Sequence, residues 1–128
     1  MPIVSDWFDE DHTILFTQVS EPFTWDDYSQ NIDRLLALLD SVTHPVILLT
    51  DYTQVETIPT GALPQLPVIA NLIEHPNFQQ FVVYGHQTAI GQTATRIFER
   101  VYGRVDMVED QEEALALIER IRRSDGEQ

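Results

Sequence analysis

Residues 46–63 read VILLTDYTQVETIPTGAL. The run Val46-Ile47-Leu48-Leu49 shows no polar alternation, which is the pattern of a strand covered on both faces. Such strands belong to parallel sheets flanked by helices, so this stretch decides the fold class. The run gives way at Asp51, and Thr60-Gly61 stands before the next apolar segment. A hydroxyl residue there either satisfies the backbone as a helix cap, or carries a modification or contacts a ligand.

Upstream, IVSDWF (3–8) and TILFTQV (13–19) alternate partially and are joined by the acidic turn DEDH, which predicts a hairpin. Thr24 with Asp27 forms a capping-box-like start. Tyr28, Ile32, Leu35, Leu36 and Leu39 then recur at helical spacing, and His44-Pro45 closes the connection to the central strand. Downstream, Leu66, Ile69, Leu72 and Ile73 suggest a helix. Pro64 and Pro67 require that it kink or begin near Pro67.

FVVYG (81–85) reads as another buried strand. TAIGQTATRIFERVYG (88–103) predicts a helix with Ile90, Ala94, Ile97, Phe98 and Val101 on one face and Gly103 as its left-handed terminus. A short strand, RVDMV (104–108), precedes a last helix opened by Asp110 and Glu113 and carrying Ala114, Leu117 and Ile121. The order β-β-α-β-α-β-α-β-α predicts an α/β fold with an N-terminal hairpin, a mostly parallel sheet and about four helices. Residues 1–128 are read as a single domain whose tail, 123–128, frays.

Composition narrows the function classes. A formal charge of -14 disfavours nucleic acid, which cationic surfaces bind. Every basic residue is an arginine, so lysine phosphate cradles, Schiff bases and lysine general bases are excluded. Arg96, Arg100 and Arg104 recur at intervals of four and outline a cationic stripe for an anion or partner. The bland alternative is that they complement a helix C-terminus and pair with acids such as Glu99. No cysteine is present, which removes disulfides and thiolate chemistry. No apolar run is long enough to span a bilayer and the N-terminus lacks a signal pattern, so a cytoplasmic location is expected.

Sites in such sheets form beyond the carboxyl ends of the strands. That rim is expected to gather Asp51, Tyr52 and Thr53 with the loop to Thr60, together with Gly85, His86, Gln87 and Thr88. His86 is the candidate for ligand contact or proton transfer. Asp51 is placed to orient it, and Thr53 or Thr60 to complete a hydroxyl-His-Asp group. With no nucleophile elbow or oxyanion motif beside them, no catalytic residue is assigned and the chain is read as a non-enzyme. His12 adjoins Asp9, Glu10 and Asp11 in a spacing that fits neither an EF-hand nor a zinc motif, so no metal or cofactor is expected.

The element order, VILLTD followed by YTQVETIPTGAL, and the closing VDMVEDQEEALALI resemble the STAS domain of anti-sigma-factor antagonists, in a divergent SpoIIAA-like branch. In typical members an Asp-Ser-Ser-Gly-Leu motif opens a helix, and the serine before its glycine is phosphorylated by a kinase that is also the anti-sigma factor. The resemblance places Asp51-Tyr52-Thr53 at the first turn and Thr60-Gly61-Ala62-Leu63 at the acceptor motif. It implies a protein partner regulated through Thr60, engaged at a rim of Asp51, Thr53, Gly61, His86 and Gln87. Related SEC14-like proteins imply the alternative, a carrier of a small apolar ligand with its pocket near residues 59–76. Exposed sheet edges leave room for a homodimer.

Overall fold

The computed structural model describes residues 2–126. Five strands form one mixed sheet in the order β1-β2-β3-β4-β5: β1 (Ile3–Trp7), β2 (Ile14–Ser20), β3 (Val46–Gln54), β4 (Phe78–Tyr84) and β5 (Val105–Val108). β1 pairs antiparallel with β2, and every later pairing is parallel. Strand order follows chain order, so crossovers of one hand deliver α1 (Trp25–Asp40), α2 (Leu66–Ile73) and α3 (Ala89–Tyr102) to the same face. α4 (Gln111–Gly126) covers the other.

β3 shows why its sequence lacks alternation. Val46 and Leu48 enter the core beneath α1 and α2, whereas Ile47 and Leu49 enter the core beneath α4. A strand with helices on both sides leaves no position for a polar side chain until it emerges.

The capping box of α1 is formed as the sequence predicts: Thr24 Oγ1 accepts from Asp27 N at 3.1 Å, and the Asp27 carboxylate accepts from Thr24 N at 2.9 Å. Tyr28, Ile32, Leu35 and Leu39 form its buried stripe. The two prolines are both accommodated. Leu63–Gln65 form a 3-10 turn around Pro64, and α2 then begins at Leu66 with Pro67 in its first turn, where a missing N–H costs nothing.

The hairpin turn is closed by Asp9, which accepts from Thr13 N at 2.9 Å and Ile14 N at 3.1 Å and lies 3.5 Å from Arg122 of α4. His12 stacks on Trp7 with ring centroids 4.5 Å apart. Among the described residues no three His, Asp or Glu side chains converge as metal ligands.

Helix α3 keeps Ala94 and Phe98 of its expected face inward, but not the other three residues. Ile90, Ile97 and Val101 are 46%, 38% and 64% exposed, and the buried positions are Gly91 and Phe98. The helix turns Gly91, Ala94, Thr95 and Phe98 inward, and Ile90, Ile97 and Val101 outward. Gly103 does terminate it at φ 84°. Residues 123–126, expected to fray, continue α4; residues 127 and 128 lie outside the described residues.

Candidate functional site

The chemistry-bearing residues collect where β3 and β4 leave the sheet. At the end of β3, Asp51 Oδ1 accepts from Thr53 N at 2.7 Å and Thr53 Oγ1 at 2.6 Å, a local turn that directs the chain away from the sheet. Tyr84, its neighbour on β4, also hydrogen-bonds to Asp51, and burial together with that carboxylate pushes the phenol up to about 12. Asp51 is therefore occupied on its own strand and by Tyr84.

β4 is followed by Gly85, whose φ of 80° and close approach to Thr53 leave no room for a side chain: a Cβ would lie 2.5 Å from Thr53 Cγ2 and 3.0 Å from Thr53 N. This turn carries His86 over Tyr52, where the rings stack at 4.1 Å and 19°. His86 Nε2 lies 3.0 Å from Thr95 Oγ1, and that hydroxyl donates to Gly91 O at 2.9 Å. Burial lowers the His86 imidazole to about 4, so it is neutral at physiological pH. The expected Asp51-His86 pairing is not formed. The hydroxyl that pairs with His86 is that of Thr95 on α3, not that of Thr53 or Thr60, and no hydroxyl-His-Asp group is assembled.

Residues 55–62 pass over this region and are tied down at two points. Glu21 accepts from Glu56 N at 3.2 Å, Thr57 N at 3.0 Å and Thr57 Oγ1 at 2.6 Å, and these bonds lower its carboxyl below the usual range. Trp25 Nε1 donates to Thr60 O at 2.7 Å. Thr60 thus presents its carbonyl to α1 while its side chain faces outward, and Ala62, not Thr60, stands at the cap of the following turn. Gly61 adopts φ 89° against Trp25.

Beneath this roof lies a cavity of about 80 Å³. Its walls are Ile58, Leu66 and Ile69 from the roof and α2, Phe81 and Val83 from the sheet, and Ala94 and Phe98 from α3. Its polar groups are Tyr28, Tyr52, Gln65, His86 and Thr95, and no acid or arginine lines it. Ala94 and Gly91 line it, and Gly91 is closely packed, since a Cβ there would meet His86 Nδ1 at 2.7 Å, Ile58 Cδ1 at 2.8 Å and Thr88 Oγ1 at 2.8 Å. The Tyr28 and Tyr52 hydroxyls pair with each other, and burial raises Tyr52 to about 12 and Tyr28 well above its ordinary value.

His86 also borders an open groove on the outer rim, shared with Thr53, Gln87, Gln92 and Arg96. Gln87 Nε2 donates to Thr53 O at 2.6 Å, which ties the two strand exits together. Of the expected rim, Thr53, His86 and Gln87 therefore converge. Asp51 is buried below them, and Gly61 and Thr60 lie apart against Trp25. The arginine stripe is broken at Gly103: Arg96 borders the groove, Arg100 stays exposed in the last turn of α3, and Arg104 donates to Phe78 O at 3.3 Å with its guanidinium over the Phe78 ring. Thr95, Gly91 and the Tyr28-Tyr52 pair escaped the sequence reading. Gly91 alone carried a signal, as a glycine inside a helical pattern where close packing is the usual reason.

The architecture defines an α/β protein with a SpoIIAA-like fold. Among solved structures the chain is similar to an uncharacterised protein of the DUF3478 family with a SpoIIAA-like fold from Shewanella loihica PV-4, at 22% identity, over 90% of this chain and 92% of that chain, with a TM-score of 0.64. No protein-family model matches the sequence, and no curated protein matches it. At that identity the likeness establishes the fold. No helix among the described residues is long and apolar enough to cross a membrane.

Proposed function

We propose that this SpoIIAA-like protein is a non-catalytic binding protein for a small, mainly apolar molecule held between the sheet, α3 and residues 58–69. The observation that carries this reading is the cavity itself. Protein interiors are packed to crystal-like density, and an apolar void forfeits the dispersion contacts of its lining. Here the space lies between the sheet and Ala94 and Phe98 of α3, beneath a roof with its own ties, an arrangement suited to a removable occupant. Solvent extraction of the protein purified from its host, with mass analysis of the extract, tests the reading. A molecule recovered in stoichiometric amount supports it, and an extract identical to that of an Ala94→Leu variant contradicts it.

A second reading, binding of a protein partner, is favoured by the outward stripe of Ile90, Ile97 and Val101 on α3. Contiguous exposed apolar side chains mark interaction surfaces. Arg96 and Arg100 flank the stripe and suit an acidic rim on the partner, and phosphorylation of the exposed Thr60 would add roughly two negative charges to the roof. Pull-down from the host with wild-type protein, Ile97→Asp and a Thr60→Glu variant tests this. A partner retained by all three, or by none, counts against it.

A further inference from the structure

The open groove on the outer rim follows from the topology. β4 and β5 are adjacent and parallel, yet the helix after β4 joins the face that α1 and α2 cover, and the helix after β5 covers the opposite face. Neighbouring strands whose following helices part in this way leave a crevice beyond their carboxyl ends, which is where open α/β sheets bind ligands. The crevice here is a groove of about 760 Å³ that shares only His86 with the lining of the apolar cavity. That volume falls within the range of roughly 300–1,000 Å³ usual for small-ligand sites.

The lining carries charges of both signs that do not meet. Gln92 and Arg96 come from one turn of α3, Met107 and Val108 from β5, and Glu109 and Glu113 from the entry to α4. Gln87 Nε2 donates to Thr53 O, Gln92 Nε2 donates to His86 O at 3.1 Å, and Glu113 Oε2 accepts from Glu109 N at 2.9 Å. These side chains are held by the backbone, and each keeps an oxygen as a further acceptor. Arg96 forms no ion pair among the described residues, although two carboxylates border the same groove. An anion would meet Arg96 together with both glutamates and a chain of formal charge -14, and a cation would meet the glutamates together with Arg96. A molecule with one charge of each sign satisfies both sides. We infer that the groove binds a short peptide with free termini, its carboxylate at Arg96 and its ammonium at Glu109 and Glu113. Its amide N–H groups suit the Gln87 and Gln92 oxygens, and its side chains suit Met107 and Val108. An extended tripeptide sets its terminal charges roughly 10 Å apart, a reach that matches charges carried by helices on opposite faces of the sheet. This inference is independent of the cavity reading.

The test uses the full chain, titrated at neutral pH with trialanine, N-acetyl-trialanine and trialanine amide, and followed by the Gln92 side-chain amide and Met107 methyl resonances. Salt of about 0.15 M screens general attraction of the amide to an acidic surface. Trialanine is expected to bind about fivefold more tightly than either blocked peptide, each of which lacks one terminal charge. In Arg96→Gln, trialanine and its amide should bind equally. In a protein carrying both Glu109→Gln and Glu113→Gln, trialanine and its N-acetyl form should bind equally. Ala94→Leu, which alters the cavity and not the groove, should bind trialanine as the wild type does, so the two sites are read separately. Equal binding of all three peptides to the wild type, an Arg96→Gln protein that still prefers trialanine to its amide, or no binding of any of them overturns the inference and leaves the cavity reading standing.

Discussion

His86 lies face to face with Tyr52, ring centroids 4.1 Å apart, although the two residues leave the sheet from different strands. The stack exists because Gly85 turns β4 back across Thr53. It places a neutral imidazole between the cavity and the outer groove.

The neutral state has a consequence for stability. Burial holds His86 at about 4 in the folded protein, against an ordinary value of 6.5, so below that value the unfolded chain binds a proton that the folded chain does not. Stability from this group is complete above pH 6.5 and is lost as pH falls from 6.5 towards 4, where it levels off. At about 1.4 kcal/mol per pH unit the loss amounts to roughly 3 kcal/mol at most. Urea titrations between pH 7 and pH 5, above most carboxylate titration, should show a decline for the wild type that is absent in His86→Gln. An equal decline in both would remove burial of the imidazole as its cause.

Gly85 tests the turn that makes the stack. Any side chain there must adopt φ 80° and displace the Thr53 backbone, so Gly85→Ala should cost about 1–3 kcal/mol. Gly103, at φ 84° with nothing near its missing Cβ, carries the conformational strain without the clash, so Gly103→Ala should cost less. Chemical denaturation of the two variants ranks them, and a Gly85→Ala protein as stable as Gly103→Ala would remove the steric account.

Glu21 tests the roof. Its carboxylate accepts both backbone N–H groups at residues 56 and 57, and its lowered pKa means that this tie is fully present above its ordinary value of 4.5 and is lost as pH falls through the folded value. Glu21→Gln should speed amide exchange at Glu56 and Thr57 at neutral pH while leaving the exchange of β3 amides unchanged. If exchange at both sites is unaltered, the roof is held by Trp25 and Thr60 alone.

The sequence exposed the sheet and its helices through large side chains. The continuous apolar run at Val46-Ile47-Leu48-Leu49 announced a strand buried on both sides, and Thr24 with Asp27 announced the start of α1. The cavity is made from the opposite material. Ala94 and Phe98 of the expected face do point inward, but Gly91 and Thr95 add little hydrophobic signal, so the apolar pattern drew Ile90, Ile97 and Val101 inward in their place. His86 was legible as a titratable group at a strand exit. Its true partners were not, because Tyr52 is brought in by the Gly85 turn and Thr95 by the packing of a later helix. Asp51 and His86 end adjacent strands, and spacing alone does not reveal that Thr53 and Tyr84 claim the carboxylate first.

The most direct measurement of the central claim is the native mass of the protein taken from its host, compared with that of Ala94→Leu prepared in the same way. Filling the space beside Phe98 and Thr95 should leave the fold intact and stabilise it by about 0.5–2 kcal/mol, as cavity-filling changes do. The expected result is one additional small mass on the wild type, released by mild activation and absent from the variant. Bare polypeptide masses for both proteins under conditions that preserve non-covalent complexes, or the same adduct on both, would contradict a ligand held in this cavity.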